Sequence, residues 1–251
     1  MKRKNILILL VLVLLVVLYG CREGVGKYTY GDSRRYTAGA GAIDGRVDAL
    51  DISWIDGSVR IACHSGDEVI LREEADSRLS GARELRWWLD GRTLRVKYAE
   101  SGFRTSKGLD KELTVLLPEA LLEELTVSVV SAEVEVEAVA ADRLEIVSVS
   151  GNVQADMRRA SQVKGDSVSG RVSMRFDIAP EVINVDSVSG DVILSLPRRS
   201  GFTAEVDSVS GSVRGDFPME NLGKGRYVGG NGECEIDVDT VSGSVRFDTA
   251  E

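Results

Sequence analysis

The sequence predicts an all-β fold, a mostly parallel, single-stranded β-solenoid with rungs of about 20 residues, capped by an irregular N-terminal β region. Three observations carry that prediction. A short Val-Ser-Gly string recurs at a nearly fixed interval. Apolar and polar residues alternate with a period of two on either side of it. Beyond residue 20, no stretch sustains a 3.6-residue apolar periodicity.

The repeats come first. VSVSGNV from Val147, DSVSGRV from Asp166, DSVSGDV from Asp186, DSVSGSV from Asp207 and DTVSGSV from Asp239 are copies of one unit, and VVSAEV from Val129 is a degenerate sixth. Measured at Ser131, Ser150, Ser169, Ser189, Ser210 and Ser242, the intervals are 19, 19, 20, 21 and 32 residues. A solenoid rung must circle the core and return above its own start, which a period near 20 without helical patterning satisfies. The long last interval holds Gly223, Gly225, Gly229, Gly230 and Gly232 and reads as a surface loop.

Within the third copy, Ile183 and Val185 share one parity, whereas Val188, Gly190, Val192, Leu194 and Leu196 share the other. The inward face is therefore expected to change register at Asp186-Ser187, whose side chains suit Asx- and Ser-type turns. The pairs Ser150-Gly151, Ser169-Gly170, Ser189-Gly190, Ser210-Gly211 and Ser242-Gly243 are the expected structural turns, small enough for backbones to stack closely. Pro118 and Pro197 each lie thirteen residues before a repeat serine and mark a fixed corner. Residues 119–124 are expected to form a helical turn.

Upstream of the exact units the chain still alternates, in 54–63, 67–73 and 84–98, and Asp90-Gly91 is a hairpin signal. Residues 43–112 thus read as irregular rungs or a cap over the solenoid's open edge, and 113–251 as the repeat solenoid. Residues 21–42, with Tyr28, Tyr30, Tyr36 and several glycines, read as a flexible tether.

Residues 1–20 have the layout of a signal peptide: Lys2, Arg3 and Lys4 precede an apolar run of thirteen residues, 6–18. That run is short for a membrane span, which needs about 20 residues. Leu18-Tyr19-Gly20-Cys21 resembles a bacterial lipobox, which implies lipidation of Cys21 and attachment outside the cytoplasm; the alternative is an uncleaved anchor helix. Loss of residues 1–20 removes three basic side chains and no acidic one, so the formal charge moves from -9 to -12. A chain this acidic repels phosphate backbones, so nucleic acid is not an expected partner.

Stacking would align Asp166, Asp186, Asp207 and Asp239 as a ladder of like charges. They are the candidate metal ligands, for Ca²⁺, set against a simpler role as turn acceptors. Val147 and Ser128 interrupt the column, and single carboxylates make a poor cage, so no cofactor is expected. Residues 229–233 resemble one calcium-binding glycine repeat, but Cys234 stands where an Asp belongs. Arg171, Arg175, Arg198, Arg199 and Arg214 either neutralise the ladder or serve a polysaccharide-active enzyme. Such an enzyme would need one unique acid-base cluster, and His64 is the single histidine. Trp54, Trp87 and Trp88 offer either a sugar-stacking platform or packing for the cap. Cys63 and Cys234 share parity with apolar neighbours and read as two buried free thiols in preference to one disulfide.

The WIDGSV string, the LRWWLDGRTLRV hairpin, the LTVLLP strand and the reiterated DSVSG units together resemble the bacterial putative-adhesin family over about residues 43–251. That resemblance implies a cell-envelope β-solenoid, with some members similar to envelope-stress or antimicrobial-peptide sensing proteins. The expectation is a non-catalytic, membrane-anchored surface module with an envelope protein or glycan as partner. The alternative is a cell-wall or polysaccharide-active enzyme.

Overall fold

The computed structural model describes residues 27–104 and 109–250. Among them, twenty strands join one continuous sheet that is mostly parallel and bends at each Val-Ser-Gly turn. The bends divide it into two ladders. The ladder before the turns runs, in spatial order, Arg86–Asp90, Thr93–Lys97, Ala49–Trp54, Leu121–Val129, the second halves of Glu133–Ser148 and Val153–Ser167, Val182–Ser187, Cys234–Thr240, Phe202–Ser208 and Arg226–Gly229. The ladder after the turns runs Val69–Ala75, Lys111–Pro118, Gly57–His64, the first halves of Glu133–Ser148 and Val153–Ser167, Val172–Phe176, Val192–Pro197, Val245–Ala250 and Val213–Arg214. Alternate residues of both ladders, such as Val134 and Val136 in one and Leu144 and Ile146 in the other, meet in a single apolar core.

Through the centre of the stack the register matches the sequence period, with Val134 opposite Val153 and Val163 opposite Ile183. At both ends the order departs from it. Ile183 is opposite Ile236, and Val206 is opposite Val238, so the last rung lies between the third and fourth units. The first rung is likewise set inward, with Ala49–Trp54 between Thr93–Lys97 and Leu121–Val129. The interval before the last rung explains the C-terminal arrangement. It is not a loose loop: Met219–Gly223 and Arg226–Gly229 form an antiparallel hairpin that pairs with Phe202–Ser208 and covers its outer edge. The returning chain is left with the inner edge, beside Val182–Ser187.

Three local expectations are corrected. Residues 119–124 make no helical turn. After the Pro118 corner the chain enters Leu121–Val129, because Leu122, Leu125 and Val127 each fill the core from a parallel strand. The bend falls one step later than Asp186-Ser187: Ser187 keeps the inward parity of Ile183 and Val185, and the chain turns over Val188 and Ser189. Residues 27–42 are not a free tether. Thr37–Ala38 pairs with Arg86–Asp90, and Tyr28 packs edge-on to Tyr98, with ring centroids 6.4 Å apart. Tyr30 and Tyr36 continue an aromatic chain to Trp88, so burial of ring surface holds this segment on the cap.

The cap is fastened by one buried ion pair. Lys111 and Glu73 are both shielded from water, and the Lys111 ammonium also donates to the carbonyls of Arg83 and Tyr98. It lies 4.9 Å from the Trp54 ring and 4.3 Å from the Tyr98 ring. Burial pushes the Lys111 ammonium below its ordinary value, and the Glu73 carboxylate opposes that shift. Glu73 in turn accepts the Leu85 N–H at 3.0 Å, so the pair joins four separate segments of the cap.

Candidate binding surface

Each turn is built from three positions with different tasks. The first hydroxyl points inward in every repeat but the fourth, where Ser208 is exposed: Ser148, Ser167, Ser187 and Thr240 are buried, and Ser187 Oγ donates to the Gly190 carbonyl at 2.8 Å. The second serine reaches one rung back. Ser150, Ser169, Ser189 and Ser210 donate both N–H and O–H to the carbonyls of Val130, Val149, Val168 and Val241. The glycine is required by proximity, since a Cβ on Gly190 or Gly151 would collide with the carbonyl of Gly170 or Ala132 in the adjacent rung. Ala132 can replace glycine because its own neighbour is the differently shaped Asp56-Gly57 turn, where Asp56 accepts the Ser131 hydroxyl at 3.0 Å.

The aspartates do stack, but in the order Asp166, Asp186, Asp239, Asp207. Val147 and Ser128 continue the column toward the cap. Burial, followed by the charges of Asp166, Asp239 and Asp237, pushes the Asp186 carboxyl up to about 6. Lys164 bridges Asp166 at 3.0 Å and Glu145 at 2.9 Å. Among the described residues, no group of three or more His, Cys, Asp or Glu side chains is placed to hold a metal ion. The arginines expected to neutralise this column stand elsewhere: Arg175 bridges Asp156 and Asp177, while Arg171 and Arg214 belong to the ladder after the turns.

Other singled-out residues separate as well. Trp54 is buried and donates its Nε1–H to the Lys111 carbonyl at 3.2 Å, Trp87 packs on the core, and Trp88 faces out under Arg35 and Tyr36. They form no common platform. His64 is engaged within the turn that follows its strand, with Nδ1 accepting the Gly66 N–H at 3.2 Å and Nε2 2.7 Å from the Glu68 carbonyl. Both thiols are free, but only Cys234 is fully buried, its thiol pushed by burial up to about 12. Cys63, near the end of its strand, is half-buried against the Ala138 carbonyl, where the neighbouring 133–148 strand stops pairing with it. Cys21 lies outside the described residues.

A groove that the sequence did not announce runs along the outer face of the ladder after the turns. One cavity of about 530 Å³ is lined by side chains including Ser58, Arg60, Glu133, Glu135, Asn152 and Gln154. A second, of about 440 Å³, is lined by Arg171, Asp191, Ile193, Arg214, Ser244 and Arg246. Arg171 and Ile193 border both, so the two are continuous. Register explains the lining: Arg60, Glu135, Gln154, Ser173, Ile193, Arg246 and Arg214 are successive ladder neighbours on one outward row. The groove carries carboxylates toward the cap and guanidiniums toward the far end. Its sequence signal was weak because these outward positions differ from copy to copy, and because Arg246 meets Arg214 only through the displaced last rung.

A family model described as Toastrack DUF4097 matches residues 47–176 and 166–247. Among solved structures, a putative cell adhesion protein from Clostridium sporogenes is similar, with a TM-score of 0.50 and 12% identity over 86% of this chain and 100% of that one. A putative adhesin from Bacteroides fragilis has a TM-score of 0.40 at 10% identity, over 84% of this chain and 97% of that one. A putative lipid binding protein from Parabacteroides distasonis has a TM-score of 0.34 at 10% identity, over 86% and 98% of the two chains. No curated protein matches.

Proposed function

The chain belongs to the Toastrack DUF4097 family, and from that premise we propose that it is a non-catalytic binding module, displayed outside the cytoplasm and held at a membrane through a lipid on Cys21. The observation that carries the reading is the groove, whose lining comes from consecutive rungs and sets carboxylates, amides, hydroxyls and guanidiniums in one outward row. A surface assembled rung by rung suits an extended partner, either an envelope protein or a glycan. The name of the C. sporogenes protein points the same way. The N-terminal lipobox and the acidic balance of the chain support an envelope location without nucleic acid.

Crosslinking the protein on intact cells, followed by mass spectrometry of copurifying proteins and glycans, tests the reading. A stoichiometric envelope partner is expected. Turnover of a wall polysaccharide by the purified protein, abolished by one acidic substitution that leaves the fold intact, would replace it with the enzyme alternative.

A further inference from the structure

We propose that the groove is an oligosaccharide site with an oxyanion pocket at one end: Arg171, Arg214 and Arg246 receive a sugar carboxylate or phosphate, and Asn152, Gln154 and Ser173 receive neighbouring sugar hydroxyls. The inference rests on the surface-binding reading above and names the ligand class of the same groove.

Arg214 and Arg246 are ladder neighbours, so their backbones are about 4.8 Å apart and their like charges face the same way. Side-by-side like charges on a sheet are unfavourable unless something of opposite charge lies between them. The local carboxylates meet that demand only in part. Asp248 bridges Arg246 at 2.7 Å, and Arg214 has turned to the Ser212 hydroxyl at 2.8 Å. Asp191, which borders the same cavity, uses one oxygen to accept the Ser244 N–H at 2.9 Å. Arg171 borders the cavity from the next rung but one, and its guanidinium has no ion pair among the described residues. Planar guanidiniums that border one concave space fit the paired oxygens of a carboxylate or phosphate.

The rest of the groove restricts what carries that anion. Toward the cap its lining changes to amides and hydroxyls, Asn152, Gln154 and Ser173, which both donate and accept as sugar hydroxyls do. Beyond them stand Glu112, Glu133 and Glu135, with Arg60 pairing Glu137 at 2.8 Å. Those carboxylates repel a chain that is charged along its whole length. The ligand that fits is an oligosaccharide with its oxyanion at one end and neutral units behind it.

The test uses the full chain in detergent and three fluorescent trisaccharides on glucose and on N-acetylglucosamine backbones: one neutral, one with a terminal uronate, one with a terminal phosphate. Anisotropy titration is expected to show binding of at least one charged probe, at least about tenfold tighter than its neutral counterpart. The uronate and phosphate arms tell which source supplies the oxyanion. Arg214→Ala and Arg171→Ala each weaken that binding by about tenfold, whereas Arg198→Ala, outside the groove, leaves it unchanged. Thermal melts of the variants verify that these exposed truncations keep the fold. No binding by any charged probe, equal binding of the neutral ones, or unchanged affinity in both arginine variants overturns the inference. If probes fail while a protein partner crosslinks to the groove on cells, the glycan inference falls and the surface-binding reading stands.

Discussion

Asp186 lies directly across the ladder from Asp239, although Asp207 is far nearer to it in the chain. Asp207 pairs with the other side of Asp239, so the last rung separates the third and fourth units. The rung order therefore decides which side chains meet on both outer faces. It sets the sequence of carboxylates on one face and places Arg246 beside Arg214 on the other.

Rung order is open to a direct chemical test. Adjacent parallel strands hold paired Cα atoms about 4.8 Å apart, within the range a disulfide spans, whereas two rungs exceed it. In a Cys63→Ser, Cys234→Ser background, Asp186→Cys with Asp239→Cys is expected to oxidise to a disulfide. Asp186→Cys with Asp207→Cys is not, and a mobility-shift gel under oxidising conditions checks both.

The Gly190 backbone has no room for a side chain. Gly190→Ala places a Cβ against the Gly170 carbonyl and is expected to cost about 3 kcal/mol, or roughly 6–12 °C in melting temperature. Arg198→Ala, at an exposed corner, stays within about 0.5 kcal/mol of the parent protein. Calorimetry of the two variants makes the comparison.

The two serines of a turn differ in worth. Ser187→Ala removes a buried acceptor from the Gly190 N–H and a donor from its carbonyl, which should cost about 1–3 kcal/mol. Ser189→Ala leaves its N–H bond to Val168 in place and should cost about 0.5–1 kcal/mol. Urea denaturation midpoints of the two variants distinguish them.

The Asp186 carboxyl, raised from 3.8 to about 6 by burial and neighbouring aspartates, binds its proton more readily in the folded chain than in the unfolded one. Its contribution to stability is therefore largest at low pH and is lost as pH rises through the window from about 4 to about 6. Asp186→Asn removes the loss: the variant should melt higher than the parent at pH 7.5, with the gap closing near pH 4. A melting series across pH reads that difference.

Lys111→Met leaves Glu73 buried without its partner and should cost about 3–5 kcal/mol. Combining it with Glu73→Leu should recover a large part of that cost, because no charge is then left uncompensated. Recovery in the double variant, measured by chemical denaturation, separates a charge effect from lost packing.

Local features were legible in the residues themselves. The period, the turn glycines, the corners at Pro118 and Pro197 and the Asp90-Gly91 hairpin all follow from short-range chemistry, and each stands where the pattern placed it. The order of the last rungs did not follow, because the third and fourth units offer chemically similar edges and the choice depends on which edge the 219–229 hairpin occupies. Residues 27–42 read as a linker because their tyrosines are spaced by glycines. Their partners, Trp88 and Tyr98, lie far along the chain and carry no local signal. The groove escaped for the same reason: Arg214, Arg246 and Arg171 belong to three units and line one cavity only after stacking.

The most direct test of the binding surface is site-specific photo-crosslinking on intact cells, with a photoreactive amino acid at Gln154 in the groove or at Asn184 on the opposite ladder. Adducts formed from position 154, absent from 184, and lost when Arg171 and Arg214 are both changed to alanine are the predicted result. Adducts from 184 alone, or adducts at 154 that persist in the arginine variant, would contradict it.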